Sequence, residues 1–85
     1  MPSREWILRI QDILAAAMQN VERTQNMSFE EFASADSLFV KGLLYNFIIM
    51  GEAAINVPGE IQTRYPDIPW RSMSDMRNVM AHEYF

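Results

Sequence analysis

The sequence predicts an all-α fold, an antiparallel helical bundle in one domain over residues 1–85, on three observations. Apolar residues recur at helical spacing through the first quarter of the chain. A second stretch, residues 36–56, is apolar around most of a helical circumference. The breaks between these stretches carry cap residues, proline and glycine.

The first helix is expected from about residue 3 to 24. Ser3 is a suitable N-cap, with Arg4 and Glu5 in the first turn. Trp6, Ile10, Ile13, Leu14, Ala17, Met18 and Val21 form its apolar stripe. Arg9, Gln11, Asp12, Gln19 and Glu22 supply the wet side. Thr24-Gln25-Asn26 breaks the pattern. Ser28-Phe29-Glu30-Glu31 then reads as a capping box opening a short helical turn, which Phe29 and Phe32 would dock on the core.

Ser34 or Asp36 caps the next helix, expected over about 36–56. Such an apolar helix is either central or at an oligomer interface. One polar line survives on it at Lys41, Tyr45, Glu52 and Asn56, and Gly42 and Ala53 are the expected points of close backbone approach. Pro58-Gly59 is expected to end it. Glu60 to Tyr65 reads as one short turn of helix. Pro66-Asp67-Ile68-Pro69 reads as an ordered turn, with Trp70 packed on it. A last helix begins at Trp70 to Ser72, with Met73, Met76 and Met80 as its apolar stripe.

Size and composition bound the rest. A domain of 85 residues buries only about 60% of its unfolded surface. Disulfides, metals or partner subunits support such small domains. With no cysteine and one histidine, neither a disulfide nor a thiolate or histidine-rich metal site is available, so oligomerisation is the expected support. No cofactor or metal is expected. The start of the chain lacks a signal-peptide pattern, and no uninterrupted apolar run reaches the roughly 18–20 residues of a bilayer span. The expectation is a soluble cytoplasmic protein with no membrane partner.

The net charge of −4 argues against indiscriminate nucleic-acid binding. It falls wholly within residues 1–63; residues 64–85 hold three basic and three acidic side chains, the least repulsive place for a phosphate.

That segment ends in Arg77-Asn78-Val79-Met80-Ala81-His82-Glu83-Tyr84-Phe85, which holds the one histidine. Histidine titrates near neutrality and transfers protons. Arginine offers a permanently charged fork for phosphate oxygens. A neighbouring asparagine orients the phosphate or the imidazole. These residue types suit metal-independent RNA cleavage, which needs a base for the 2′-hydroxyl, an acid for the leaving 5′-oxygen and a cation for the phosphorane. At about 100° per residue, Arg77 and Tyr84 fall within roughly 20° of one line and His82 lies roughly 140° from Arg77. Either the helix ends near Ala81 and turns His82 back, or a second copy of the chain completes the site.

Plainer roles fit the same spacing. His82 suits a helix C-terminus as a dipole partner. Tyr84 suits packing, Glu52 suits pairing with Arg77, and the methionine stripe suits the core. Trp6 and Trp70 suit packing anchors, with no stacking row for single-stranded nucleic acid around them.

Arg77-Asn78-Val79-Met80-Ala81-His82-Glu83-Tyr84 matches the R-x-x-x-x-H-x-Y motif of the HepT-like ribonuclease toxins of the HEPN superfamily. Ile48-Ile49-Met50-Gly51-Glu52-Ala53-Ala54 resembles that family's IIGEAA helix. Tyr65-Pro66-Asp67-Ile68-Pro69-Trp70-Arg71 and Met76-Arg77-Asn78 resemble its YPDIPWR and MRN stretches. The resemblance runs the length of the chain in order.

The resemblance implies a dimeric or higher helical assembly in which both motifs line one cleft. It implies the toxin of a type VII-like toxin–antitoxin system, a metal-independent endoribonuclease acting on RNA. Arg77 and His82 would be catalytic, with Asn78 and Glu52 in support. Tyr84 would be the tyrosine to which a cognate minimal nucleotidyltransferase antitoxin adds AMP, placing a bulky phosphate beside Arg77 and His82. Family members continue past the Tyr-Phe pair with a glycine-containing turn and a further helix, so the expectation is either a member lacking the usual C-terminal helix or a piece of a longer chain. The alternative is a non-catalytic, truncated helical module that binds a nucleotidyltransferase or self-associates.

Overall fold

The computed structural model describes residues 5–85 and contains, among them, five helices and no strand. They are α1 (Glu5–Thr24), α2 (Phe29–Ala33), α3 (Ser37–Ile55), α4 (Gly59–Arg64) and α5 (Trp70–Glu83). The expected cap Ser3 lies outside the described residues.

α3 is the central element, packed on α1 along one side and α5 along another. Both neighbours run antiparallel to it. Asn20, late in α1, donates to the carbonyl of Leu43, early in α3, at 3.1 Å. The end of α3, at Ala54, shares a buried cluster with Val57, Ile61 and Trp70. Trp6, Ile10 and Ile13 from the start of α1 and Met73 from the start of α5 pack against that cluster. By length and composition α3 is also apolar enough to cross a bilayer, although Lys41, Asn46 and Glu52 interrupt its apolar run.

The local signals explain the boundaries. Ser28 caps α2: Glu31 N donates to Ser28 Oγ at 3.1 Å and Ser28 N donates to Glu31 Oε1 at 2.8 Å. Asp36 caps α3 by accepting from Leu38 N at 2.7 Å. α3 stops at Ile55, with Asn56 as its C-cap, within a residue of the expected end; Pro58 follows and Gly59 opens α4. The last carbonyls of α3 need partners, and Gln62 of α4 donates to Ala54 O at 3.1 Å and Val57 O at 3.2 Å. The Pro66–Pro69 turn is held from below by Trp70, whose Nε1 donates to Tyr65 O at 3.0 Å.

Burial corrects three expectations. The α1 stripe divides: Trp6, Ile10, Ile13 and Ala17 are half-buried, while Leu14, Met18 and Val21 join Ile7 on an exposed apolar face. The apolar arc is wider than the single contact with α3 covers. Phe29 does not dock and is 80% exposed, whereas Phe32 lines a hollow with Val40, Leu43 and Phe47. Close approach occurs not at Gly42, where an added Cβ would meet nothing within 4 Å, but at Gly51.

α3 also buries one polar side chain. Asn46 is 5% exposed and donates to Asn20 Oδ1 at 2.8 Å and Gln19 Oε1 at 3.2 Å. These bonds join α1 to α3 at one register, because a slip would leave a buried amide without partners.

Candidate active site

The site is built on the crossing of α3 and α5. A Cβ placed on Gly51 would lie 2.1 Å from Arg77 Cβ and 2.6 Å from the carbonyl oxygen of Met73. Only a residue without a side chain allows this approach. It brings the next residue on α3, Glu52, against Arg77 on α5.

Arg77 is held on all three of its nitrogens. Its Nε donates to Glu52 Oε1 at 2.6 Å, and Nη2 pairs with the same carboxylate oxygen. Nη1 donates to Asn78 Oδ1 at 2.7 Å. The Arg77 side chain is one-third exposed, so the fork is fixed yet accessible. An anion arriving here meets a cation already neutralised by a carboxylate. Glu52 therefore orients the guanidinium and competes for it.

The structure brings Glu52, Arg77 and Asn78 together and leaves His82 and Tyr84 outside that cluster. α5 stays helical through Glu83, which removes the possibility that the chain turns back near Ala81. His82 is exposed in the last turn, about 7.5 Å along the axis from Arg77 and roughly 140° around it. Tyr84 is the C-cap, its backbone N–H donating to Met80 O at 3.1 Å, and its side chain is 54% exposed. Phe85 packs edge-on against Tyr45, with ring centroids 6.2 Å apart, which ties the end of the motif to α3.

Four contributors were not legible as site residues. Gly51 stood in the sequence as part of a motif, without its contact. Tyr45 stood on the polar line of α3, without its partner Phe85. Arg9 and Asp12 read as wet-side charges, yet with Tyr45, Glu52 and Asn56 they line one groove between α1 and α3. The shared helical face of Tyr45, Glu52 and Asn56 was the available signal for that groove. No group of three or more His, Cys, Asp or Glu side chains comes together as a metal site among the described residues.

The fold and this cluster define an all-helical domain that presents a fixed guanidinium and an exposed imidazole from one helix. The chain belongs to the ribonuclease HepT-like family, whose pattern matches residues 10–85, within the HEPN superfamily. It is 31% identical over 85 residues to "Putative RNase MJ0127" of Methanocaldococcus jannaschii, covering 100% of this chain and 69% of that one. It is 34% identical over 65 residues to "Putative RNase TTE0752" of Caldanaerobacter subterraneus subsp. tengcongensis, covering 76% and 57%. It is 34% identical over 76 residues to "Probable ribonuclease HepT" of Thermococcus cleftensis, covering 89% and 68%. The alignments thus span between 57% and 69% of these relatives' own lengths. No solved structure matches the chain.

Proposed function

We propose that the chain is a metal-independent endoribonuclease of a toxin–antitoxin pair, acting on RNA in the cytoplasm as a homodimer or higher oligomer. The observation that carries this reading is the fixing of Arg77 by Glu52 and Asn78 at the α3–α5 crossing, with His82 exposed on the same helix. Family membership and the ribonuclease names of its relatives support the substrate class.

In this mechanism a neutral His82 takes the proton of a ribose 2′-hydroxyl. The 2′-oxygen attacks phosphorus, the bond to the 5′-oxygen breaks, and a second, protonated histidine gives its proton to the leaving oxygen. The products are a 2′,3′-cyclic phosphate and a 5′-hydroxyl. Arg77 stabilises the extra negative charge of the phosphorane, assisted by Asn78. Each chain has one histidine, so the second comes from another copy. The angle between Arg77 and His82 on a straight helix favours the same arrangement. The exposed apolar face of Ile7, Leu14, Met18 and Val21 supports self-association.

Tyr84 is the switch in this reading. Its phenol oxygen attacks the α-phosphate of ATP on a nucleotidyltransferase antitoxin, pyrophosphate leaves, and the AMP carries bulk and negative charge to the motif. The exposure of Tyr84 supports access by such an enzyme.

Expression in a growing host tests the proposal. Wild-type chain arrests growth and releases RNA ends bearing cyclic phosphate; His82→Ala relieves both. Equal harmlessness of the two sinks the enzyme reading and leaves a non-catalytic interaction module, which the exposed α1 face also favours. Intact mass after co-expression with the nucleotidyltransferase tests the switch: a gain of AMP, absent in Tyr84→Phe, supports it, and an unchanged mass removes it.

A further inference from the structure

Glu52 belongs to two surroundings. Its carboxylate holds Arg77, and its side chain also lines an open groove of about 270 Å3 between α1 and α3. Ile48, Ile49 and Ala53 give this groove an apolar lining. Tyr45 and Asn56 mark its two ends along α3, eleven residues or about 16 Å apart. Arg9 and Asp12, paired at 4.0 Å, contribute from α1.

The chemistry of these walls is uneven. Asp12 and Glu52 offer carboxylate acceptors. Asn56 has committed its amide nitrogen to the carbonyl of Glu52 at 2.8 Å, which leaves its side-chain oxygen as an acceptor. The donors are Arg9, which faces Asp12, the Tyr45 hydroxyl and the second amide hydrogen of Asn56. Each carboxylate already faces a guanidinium, Asp12 that of Arg9 and Glu52 that of Arg77, so the groove offers a phosphate no unpaired cation. An apolar lining with an aromatic ring at one end suits a flat, uncharged base. A volume below the roughly 300–1,000 Å3 of drug-sized pockets suits one base and no more.

We propose that this groove is the base subsite beside the scissile phosphate, and that it selects bases with an amino group on the Watson–Crick edge over uracil. The inference rests on the ribonuclease reading, since it takes Arg77 as the phosphate site. Glu52 stands at both, so base and phosphate lie within one side chain of each other. An amino group donates to a carboxylate, as cytosine N4 does to Asp or Glu. Uracil presents a carbonyl oxygen in place of that amino group, which a carboxylate repels, and keeps only N3–H as a donor on that edge.

Cytidine and uridine differ at that edge alone and are the probes. The full-length chain, isotope-labelled, is titrated with each nucleoside while the Ile48 and Ile49 methyls and the Asn56 side-chain amide are followed by NMR. Saturable shifts at these three positions, about fivefold or more tighter for cytidine, support the subsite. Asp12→Asn brings the ratio toward one; Tyr45→Ala weakens both nucleosides about equally. Absence of shifts, or equal affinity for the two nucleosides in the wild type, overturns the subsite whatever the chain does to RNA. Cleavage of a cytidine-rich oligonucleotide by the same preparation is read separately. A chain that binds cytidine selectively and leaves RNA intact overturns the ribonuclease reading and not the groove.

Discussion

Arg77 on α5 and Glu52 on α3 are joined by a hydrogen bond of 2.6 Å from Nε to Oε1, although 25 positions separate them in the chain. The pair sits beside Gly51, where the two helices come closest. The position of the Arg77 guanidinium therefore depends on a residue without a side chain.

Gly51→Ala is expected to force the helices apart, since its Cβ would fall 2.1 Å from Arg77 Cβ and 2.6 Å from a backbone oxygen. The loss of stability is about 1–3 kcal/mol or more, read by urea denaturation. Gly42→Ala is the control. Nothing lies within 4 Å of its added Cβ, and helix propensity makes it stabilising by about 0.5–1 kcal/mol. Equal effects at the two positions would refute the close crossing.

Glu52→Gln separates orientation from stability. The side chain is about half exposed, so removing its charge costs under about 1 kcal/mol. RNA cleavage is expected to fall by as much as about a hundredfold, because the guanidinium is no longer held in place. Arg77→Lys is expected to lose activity comparably, since an ammonium lacks the fork. Activity and thermal stability falling in proportion would make Glu52 a structural residue only.

Asn46→Ala is expected to cost about 1–3 kcal/mol by leaving Asn20 and Gln19 without their α3 partner. Gln19→Ala, at an exposed position, is expected to stay within about 0.5 kcal/mol. Denaturant midpoints of the two variants provide the comparison.

Acidification is expected to loosen the start of α2. Hydrogen bonds from Ser28, the backbone N–H foremost, hold the Glu31 carboxyl below its ordinary range. A group whose pKa is lower in the folded state stabilises that state above its unfolded pKa and loses the contribution as pH falls through the folded one. Protection of the Ser28 amide, measured against its intrinsic exchange rate at each pH, is expected to fall on descent through the carboxylate range, and a Ser28→Ala variant, which keeps the backbone N–H, should move Glu31 only part of the way back to its ordinary range.

Much of the architecture was legible in residue order. Helical periodicity marked α1 and α3, and the capping box at Ser28–Glu31, the cap at Asp36 and the packing of Trp70 were each readable from a few neighbouring residues. The candidate site was legible in part. Arg77, Asn78, His82 and Tyr84 stood in one motif, and Glu52 was named as a partner for Arg77, which the ion pair bears out. The α3 span was legible to within a residue at each end, whereas the bonds from Gln62 that satisfy its last carbonyls were not. Phe29 was misplaced because a helix of five residues is too short for periodicity to say which way an apolar residue faces.

By itself, then, the sequence determined what acts over a few residues: which segments coil, where their caps fall, and the order of Arg77, His82 and Tyr84 along one helix. These depend on backbone dihedrals and near neighbours. Tertiary structure decided the rest. It placed the close crossing at Gly51 rather than Gly42, turned half of the α1 stripe to the surface, buried Asn46 against Asn20, and set Arg9 and Asp12 beside Glu52. The physical reason is the apolar circumference of α3, which offers many nearly equivalent contact faces. Only the crossing with α1 and α5, limited by how closely two backbones approach, selects among them.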